Sequence, residues 1–149
     1  MTTTRTARAA ARPLIVALLL SLCLVGCASP GNTSHVVLEV GPSQLFTEPE
    51  IRAAMAAVME KFKDIEGCDL LRLRYDESFS ELGAEVFLEY GGRHDPPVTA
   101  ENVMVLMSEF YAGPHADPSL NRNTTYSWSW ELTRPGPGSN WVVVDWGYG

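Results

Sequence analysis

TEPEIRAAMAAVMEKFK, residues 47–63, is the stretch that decides the fold, because it has both the start signal and the period of a long amphipathic helix. Thr47 and Glu50 stand three residues apart, the spacing of a capping box. Apolar side chains then recur at helical intervals and define one buried face. They are Ile51, Met55, Val58 and Phe62. Gly67 stops the pattern, so the sequence predicts a helix over 48–65.

Downstream of Gly67 the apolar period changes from helical spacing to alternation, which predicts strands. The predicted strands are 71–75, 84–90, 102–110, 124–134 and 141–146, preceded by a short one at 35–40. The unbroken apolar run Val103–Met107 indicates a central strand buried on both faces. The connections are mostly too short for parallel crossovers. The prediction is an α+β fold with one long N-terminal helix on a curved, mainly antiparallel sheet of about five or six strands.

The first 26 residues have the pattern of an export signal. Three arginines at positions 5, 8 and 12 precede an apolar run of twelve residues, 14–25, that is interrupted only by Ser21. A membrane-spanning helix needs about 20 apolar residues, so this run is too short to span a bilayer. A positive flank, a short apolar core and small residues at its end are typical of a cleavable signal.

The end of that run resembles the lipobox of bacterial lipoproteins. The matching residues are Leu24, Val25, Gly26 and Cys27. The resemblance implies a diacylglycerol group on the Cys27 thiol and cleavage before it. We therefore expect a signal peptide over 1–26, a lipidated N-terminus with a flexible tether over 27–34, and a single domain over 35–149. The domain would lie on the extracytoplasmic face of the cell membrane. The alternative is ordinary cleavage after Ala28, which would release a secreted protein.

Charge limits the range of partners. Of the 11 basic residues, three lie before Cys27, whereas all 18 acidic residues lie after it, so residues 27–149 carry 8 basic residues and a net charge of −10. Nucleic-acid binding needs a positive face, and none is visible. We expect the membrane as a partner through the anchor, together with a small ligand or an envelope protein. No cofactor motif is present.

The order of elements, ending in a Trp-X-X-X-Asp-X-Gly strand at Trp141–Gly147, is similar to cystatin-like and nuclear-transport-factor-2-like α+β folds. Four stretches also resemble a family of lipoproteins from Gram-positive bacteria that has no established activity. They are 62–75, 103–110, 120–126 and 141–148. The resemblance implies this fold and the lipid anchor, and it implies no catalytic residue.

Aromatic side chains form the first candidate binding site. Alternation places Tyr126, Trp128 and Trp130 on one side of a strand, and Trp141 and Trp146 lie on the predicted neighbour. Aromatic residues on a concave sheet are typical of a ligand pocket. The alternative is that they fill the core under the helix.

Asp145 is the second candidate, because an acid in an apolar strand has the setting of a general base with a raised pKa. Alternation puts it on the same face as Trp141 and Val143. The alternative is a cross-strand ion pair. Its possible partners are Arg72, Arg74 and Arg134.

Three further features are weaker candidates for a functional site. Residues 117–125 have alternate oxygen side chains like a calcium loop, but Arg122 and Trp128 stand where that loop needs Gly and Glu, which favours an Asx turn. Histidines and aspartates of two loops lack zinc-ligand spacing, so no metal site is predicted. They are His94, Asp95, His115 and Asp117. Cys68 is left without a disulfide partner and is predicted to be a buried thiol.

Three functions remain after these observations. The leading hypothesis is a non-catalytic lipoprotein whose domain binds a ligand, a peptide or another envelope protein. The second is an enzyme with a pocket between helix and sheet, using Asp145 or His94 as base. The third is a structural accessory subunit of an envelope complex. The fold alone does not decide among them.

Overall fold

The computed structural model describes residues 29–91 and 98–148. Within these ranges it confirms the α+β class and shows a sheet of five strands. Two α-helices of the same ranges accompany the sheet, so the prediction of one long helix is wrong. In chain order the elements are β1 Val37–Val40, α1 Glu48–Phe62, β2 Cys68–Tyr75, α2 Glu77–Tyr90, a 3₁₀ turn Ala100–Asn102, β3 Val103–Ala112, β4 Thr124–Thr133 and β5 Val142–Gly147.

Helix α1 begins where the capping box predicts. The Thr47 backbone N–H donates to the Glu50 carboxylate at 2.8 Å, which satisfies a donor at the helix start. The helix ends at Phe62, three residues before the predicted end at residue 65. Gly67 then reverses the chain with φ of +68°, a conformation that favours glycine.

The sheet is mixed, with the strands side by side in the order in which they occur along the chain, β1-β2-β3-β4-β5. The last three pairs are antiparallel, as predicted for most of the sheet. The first pair, β1 and β2, is parallel. A parallel pair needs a long crossover, and α1 supplies it. Strand β3 is the middle strand, which confirms the prediction from its continuous apolar run.

The stretch 84–90, predicted as a strand, lies in helix α2. Apolar residues at every second position suggested alternation, but the structure buries Ser80, Ala84 and Phe87, which share a helical period. Asp76 starts the helix by accepting the Phe79 backbone N–H at 3.0 Å. The residue that ends the predicted strand 71–75, Asp76, is therefore also the N-cap of α2.

The two helices pack against opposite faces of the sheet. Along β3, Met104 and Leu106 point into the large core under α1, whereas Val103 and Val105 lie under α2. Gly83 allows that second contact, because a Cβ there would lie 2.8 Å from a Val105 methyl carbon. The core under α1 also contains Trp130, Phe62 and Phe110, all fully buried.

Backbone hydrogen bonds hold the segment before β1 against the domain. The Ser29 carbonyl accepts the Gly67 N–H at 2.9 Å, and the Gly31 N–H donates to the Lys63 carbonyl at 3.0 Å. Asn32 forms a bridge to Asp69. From residue 29 onward the predicted flexible tether is thus hydrogen-bonded in place, which leaves only Ala28 between it and Cys27.

Candidate functional site

Strands β4 and β5 assemble the predicted aromatic cluster. Tyr126, Trp128 and Trp130 occupy one face of β4 at intervals of two, so their rings form a continuous row. Trp146 of β5 pairs with Trp130, and their rings stack with centroids 6.1 Å apart. Trp141 lies elsewhere, against Phe46.

The members of the row differ in depth. Trp130 is fully buried, and its indole N–H donates to the Ser108 hydroxyl at 2.8 Å. Tyr126 is also buried, and its hydroxyl accepts the Asn121 backbone N–H at 2.6 Å. These two side chains are part of the core. Trp128 is half-buried and Trp146 is 40% exposed, so these two present a surface to solvent.

The exposed end of the row lines a cleft of about 250 Å³, which we call the tryptophan cleft. It lies between the C-terminal end of α1 and the loop after β3. Its walls are Lys61, Asp64, Ile65, Glu66, Asp117, Ser119, Leu120, Trp128, Trp130 and Trp146. The Lys61 ammonium lies 4.7 Å from the ring centroid of Trp146, within the range of a cation–π contact.

The cleft carries more negative than positive charge. Asp64, Glu66 and Asp117 line it, against Lys61 alone. Lys61 already forms an ion pair with Asp64 at 2.9 Å. Hydrogen bonds from Ser119 lower the pKa of Asp117, which keeps that carboxylate charged. The charge balance favours a neutral or positively charged ligand.

Trp128 has a second unusual property. Its indole N–H is covered from solvent and has no hydrogen-bond acceptor among the residues the structure describes. A buried donor without a partner is rare and costs free energy. The rings of Tyr126 and Tyr148 lie beside that indole, with centroids 6.3 Å away in each case. Tyr148 itself is 75% exposed.

Asp145 does not have the environment of a general base. An irregularity in the pairing of β4 with β5 leaves Val144 without a partner, so Asp145 pairs with Glu131 although Val143 faces the core. This breaks the predicted alternation, and Asp145 lies on the exposed face, away from the tryptophan row. Its carboxylate accepts the Trp146 backbone N–H at 2.8 Å.

The alternative, an ion pair of Asp145 with an arginine, does not form among the described residues either. Arg72 pairs with Glu39 at 3.2 Å, and Arg134 pairs with Glu50 at 2.6 Å. Burial, with the Asp145 charge as a second cause, raises the pKa of Glu131.

The remaining candidate residues have structural roles or lie outside the described residues. Asp117 accepts the Ser119 N–H at 2.8 Å, which is the Asx turn favoured by the sequence. Among the described residues, no three His, Cys, Asp or Glu side chains come together as a metal site. His94 and Asp95 lie outside the described residues, as do the lipobox residues Leu24, Val25, Gly26 and Cys27.

Cys68 is buried and free, as predicted. Burial is the main cause that raises the pKa of its thiol to about 11, with Asp69 and Asp117 adding to the effect. Such a thiol stays protonated at neutral pH and is a poor nucleophile.

The cleft residues that the sequence did not predict include three charged side chains, those of Lys61, Asp64 and Glu66. Lys61 and Asp64 are in and just after α1, more than 80 positions from Trp146. No local pattern joins positions so far apart, so only the packing of α1 against β5 reveals the contact. The tryptophan row itself was detectable because alternation along one strand is a local signal.

Comparison with known proteins adds no assignment: no family model, no curated protein and no solved structure matches this chain. Within residues 29–91 and 98–148, no helix has the length and apolar character needed to cross a bilayer.

Proposed function

We propose that this chain is a lipoprotein held on the extracytoplasmic face of a cell membrane through Cys27, with a domain that binds a ligand without catalysis. The observation that carries the binding role is the tryptophan cleft, where exposed aromatic surface and carboxylates converge. The anchor is supported by the lipobox-like residues 24–27 and by the short apolar run before them. Membership in the Gram-positive lipoprotein family is supported by the resemblance of residues 62–75, 103–110, 120–126 and 141–148.

The ligand best suited to the cleft is a small organic cation, such as a free amine or the positively charged side chain of a peptide. The Trp146 ring already contacts one ammonium group, that of Lys61, so the ring attracts a cation, and a bound ligand would take the place of this ammonium. Glu66 and Asp117 add carboxylates near it. A volume of about 250 Å³ limits the ligand to one small group.

The enzyme hypothesis loses one of its two proposed bases, because Asp145 is exposed and lies outside the cleft, whereas His94 lies outside the described residues. Binding therefore explains the exposed aromatic residues more directly than catalysis does. We further propose that the fold is a variant of the cystatin-like type. Helix α1 lying against one face of the sheet supports this assignment, and α2 on the other face is the departure from it.

Binding is tested by thermal unfolding and tryptophan fluorescence of the protein in detergent, with choline and arginine amide as probes. A cation at 100 times its dissociation constant should stabilise the fold by about 2.7 kcal/mol. Trp146→Ala should abolish the stabilisation. Val144→Ala, at an equally exposed site on the same strand, should retain it. Unfolding curves that no cation shifts, with glucose as the neutral control, would contradict the proposal.

The anchor predicts a separate result. Cys27→Ser should prevent incorporation of labelled fatty acid and release the protein from membranes, because the thioether bond requires the thiol. Cys23→Ser is the matched control, since it removes a thiol within the apolar run and should leave labelling intact. Unchanged labelling and membrane retention in the Cys27 variant would refute the anchor.

A further inference from the structure

Helix α2 exposes a row of apolar side chains on the face that points away from the sheet. Leu82 is 61% exposed, Val86 49% and Tyr90 74%, and they follow one another at intervals of four. Residues at this spacing lie one turn apart on the same side of a helix. The buried face of α2 is a different one, formed by Ser80, Ala84 and Phe87. The exposed row therefore adds nothing to the core.

A row of glutamates runs parallel to the apolar row. Glu77, Glu81, Glu85 and Glu89 are also spaced by four, and the helix contains no basic residue. Like-charged pairs at this spacing destabilise a helix. Glu77 is used within the fold, since it accepts the backbone N–H groups of Gln44 and Leu45. The Glu81 and Glu85 carboxylates form no hydrogen bond or ion pair with any residue the structure describes.

The acidic row separates the apolar row from a groove of about 600 Å³. Glu81 and Glu85 form one wall of this groove, and Glu101 belongs to the opposite side. The floor is apolar and includes Ala84 and Val103. Apolar and acidic surface thus continue from the helix into the groove, which extends the area available to a partner.

From these two rows we infer that the exposed face of α2 binds a basic amphipathic helix of a second protein. Such a helix would place apolar side chains against Leu82, Val86 and Tyr90 and its lysines or arginines against Glu81, Glu85 and Glu89. Helices that lay an apolar face on a complementary surface are a common mode of recognition. The proposal is independent of the tryptophan cleft, which lies at the other end of the sheet.

Charge distinguishes this occupant from two others. A second copy of the chain would bring its own glutamate row against this one, and like charges at an interface disfavour association. An anionic lipid surface is repelled by the same row. A basic helix satisfies both the apolar and the acidic features.

The test uses the full chain in detergent and two synthetic helical peptides. One peptide carries a row of leucines beside a row of lysines, and its twin has glutamate in place of every lysine. We expect saturable binding of the lysine peptide in isothermal titration calorimetry, weakened by added salt. The glutamate peptide should not bind. Absence of saturable binding by the lysine peptide would overturn the inference.

Paired variants locate the contact. Glu81→Lys with Glu85→Lys should weaken binding of the lysine peptide by about tenfold or more. Glu48→Lys with Glu60→Lys changes the net charge equally on exposed positions of α1 and should have little effect. Leu82→Ser with Val86→Ser should also weaken binding, and circular dichroism should show an unchanged fold because both side chains are exposed.

Three results would overturn the inference at this step. One is equal weakening by the α1 and α2 charge reversals, which would mean a non-specific charge effect. Another is self-association that the Leu82→Ser and Val86→Ser changes abolish, which would assign the face to a second copy. The third is binding of anionic vesicles that depends on the same two residues.

Discussion

Replacing Trp130 with alanine destabilises the domain by about 3–5 kcal/mol, the range for removing a large aromatic side chain from a core. Trp130 is fully buried, and it contacts Phe62 of α1 and Trp146 of β5, with ring centroids 6.3 and 6.1 Å away. A domain of this size is stable by about 5–15 kcal/mol, so the loss approaches the whole of that stability. The denaturant midpoint measures it.

Two control variants separate the contribution of burying the Trp130 side chain from that of its indole hydrogen bond. Trp146→Ala removes the same atoms at a position that is 40% exposed, and it should cost well under half as much. Trp130→Phe keeps most of the volume but removes the hydrogen bond from the indole to the Ser108 hydroxyl, which keeps its bond to the Trp128 carbonyl. The lost hydrogen bond, worth about 0.5–1.5 kcal/mol, adds to the cost of the smaller volume change, so this variant should fall between the other two. Equal losses for the two alanine variants would contradict the structural role of Trp130.

Arg134→Ala should destabilise the fold by about 3–5 kcal/mol, the cost of removing one partner from a buried ion pair. The Arg134 side chain is 4% exposed. Its guanidinium binds the Glu50 carboxylate at 2.6 Å, the Asn102 side chain at 3.2 Å and the Glu101 carbonyl at 3.1 Å. It also lies 4.4 Å from the Trp141 ring centroid. Removing it takes this donor from the buried Asn102 side chain and from the partly buried oxygens of Glu50 and Glu101.

The same contact makes stability depend on pH. The Thr47 backbone N–H is the main cause that lowers the pKa of Glu50 from 4.5 to about 2, and the hydrogen bond from Arg134 is the second cause. A lowered pKa gives stability that is fully present above about pH 4.5 and is lost as pH falls to about 2. In Arg134→Ala the stability should depend on pH over a narrower acidic range. The pKa of Glu50 stays lowered because the Thr47 hydrogen bond remains, but it is lowered less because the Arg134 hydrogen bond is gone.

Urea unfolding of the wild-type and Arg134→Ala proteins between about pH 2 and pH 4.5 checks this pH dependence. Arg134→Lys is a useful companion, because lysine keeps the charge but lacks the planar fork that reaches three acceptors at once. It should recover only part of the lost stability. An Arg134→Ala protein with wild-type stability at neutral pH would contradict the role assigned to the guanidinium.

The predictable parts of the fold were those with local signals. The capping box at Thr47 and Glu50 marked the start of α1, and the apolar run Val103–Met107 marked the middle strand. Alternation placed Trp128 and Trp130 on one face of β4. Each of these patterns depends only on residues a few positions apart, which is why sequence alone was sufficient.

The parts that failed depend on tertiary packing. The stretch 84–90 satisfies both periods. Val86, Leu88 and Tyr90 alternate as in a strand, whereas Ala84 and Phe87 share a helical face. Packing of α2 against Val103 and Val105 decides for the helix. Alternation also failed at Val144, because an extra residue in β5 moved Asp145 to the exposed face. The contact of Lys61 with Trp146 joins two distant elements and has no counterpart in the sequence pattern.

The hydrogen bonds of Ser29 and Gly31 have a consequence for how the domain is oriented on a membrane. Two residues extend over about 7 Å at most, so a lipidated Cys27 would keep Ser29 within that distance, and the Gly67 corner is hydrogen-bonded to Ser29. Cys68 pairs with Ala112 at this corner, and β3 runs from there for nine residues, about 30 Å at 3.3 Å per residue, to Val103. So short a connection would keep the Gly67 end of the sheet at the membrane. Helix α2, which packs near Val103, would then lie at the end of the sheet farthest from the lipid.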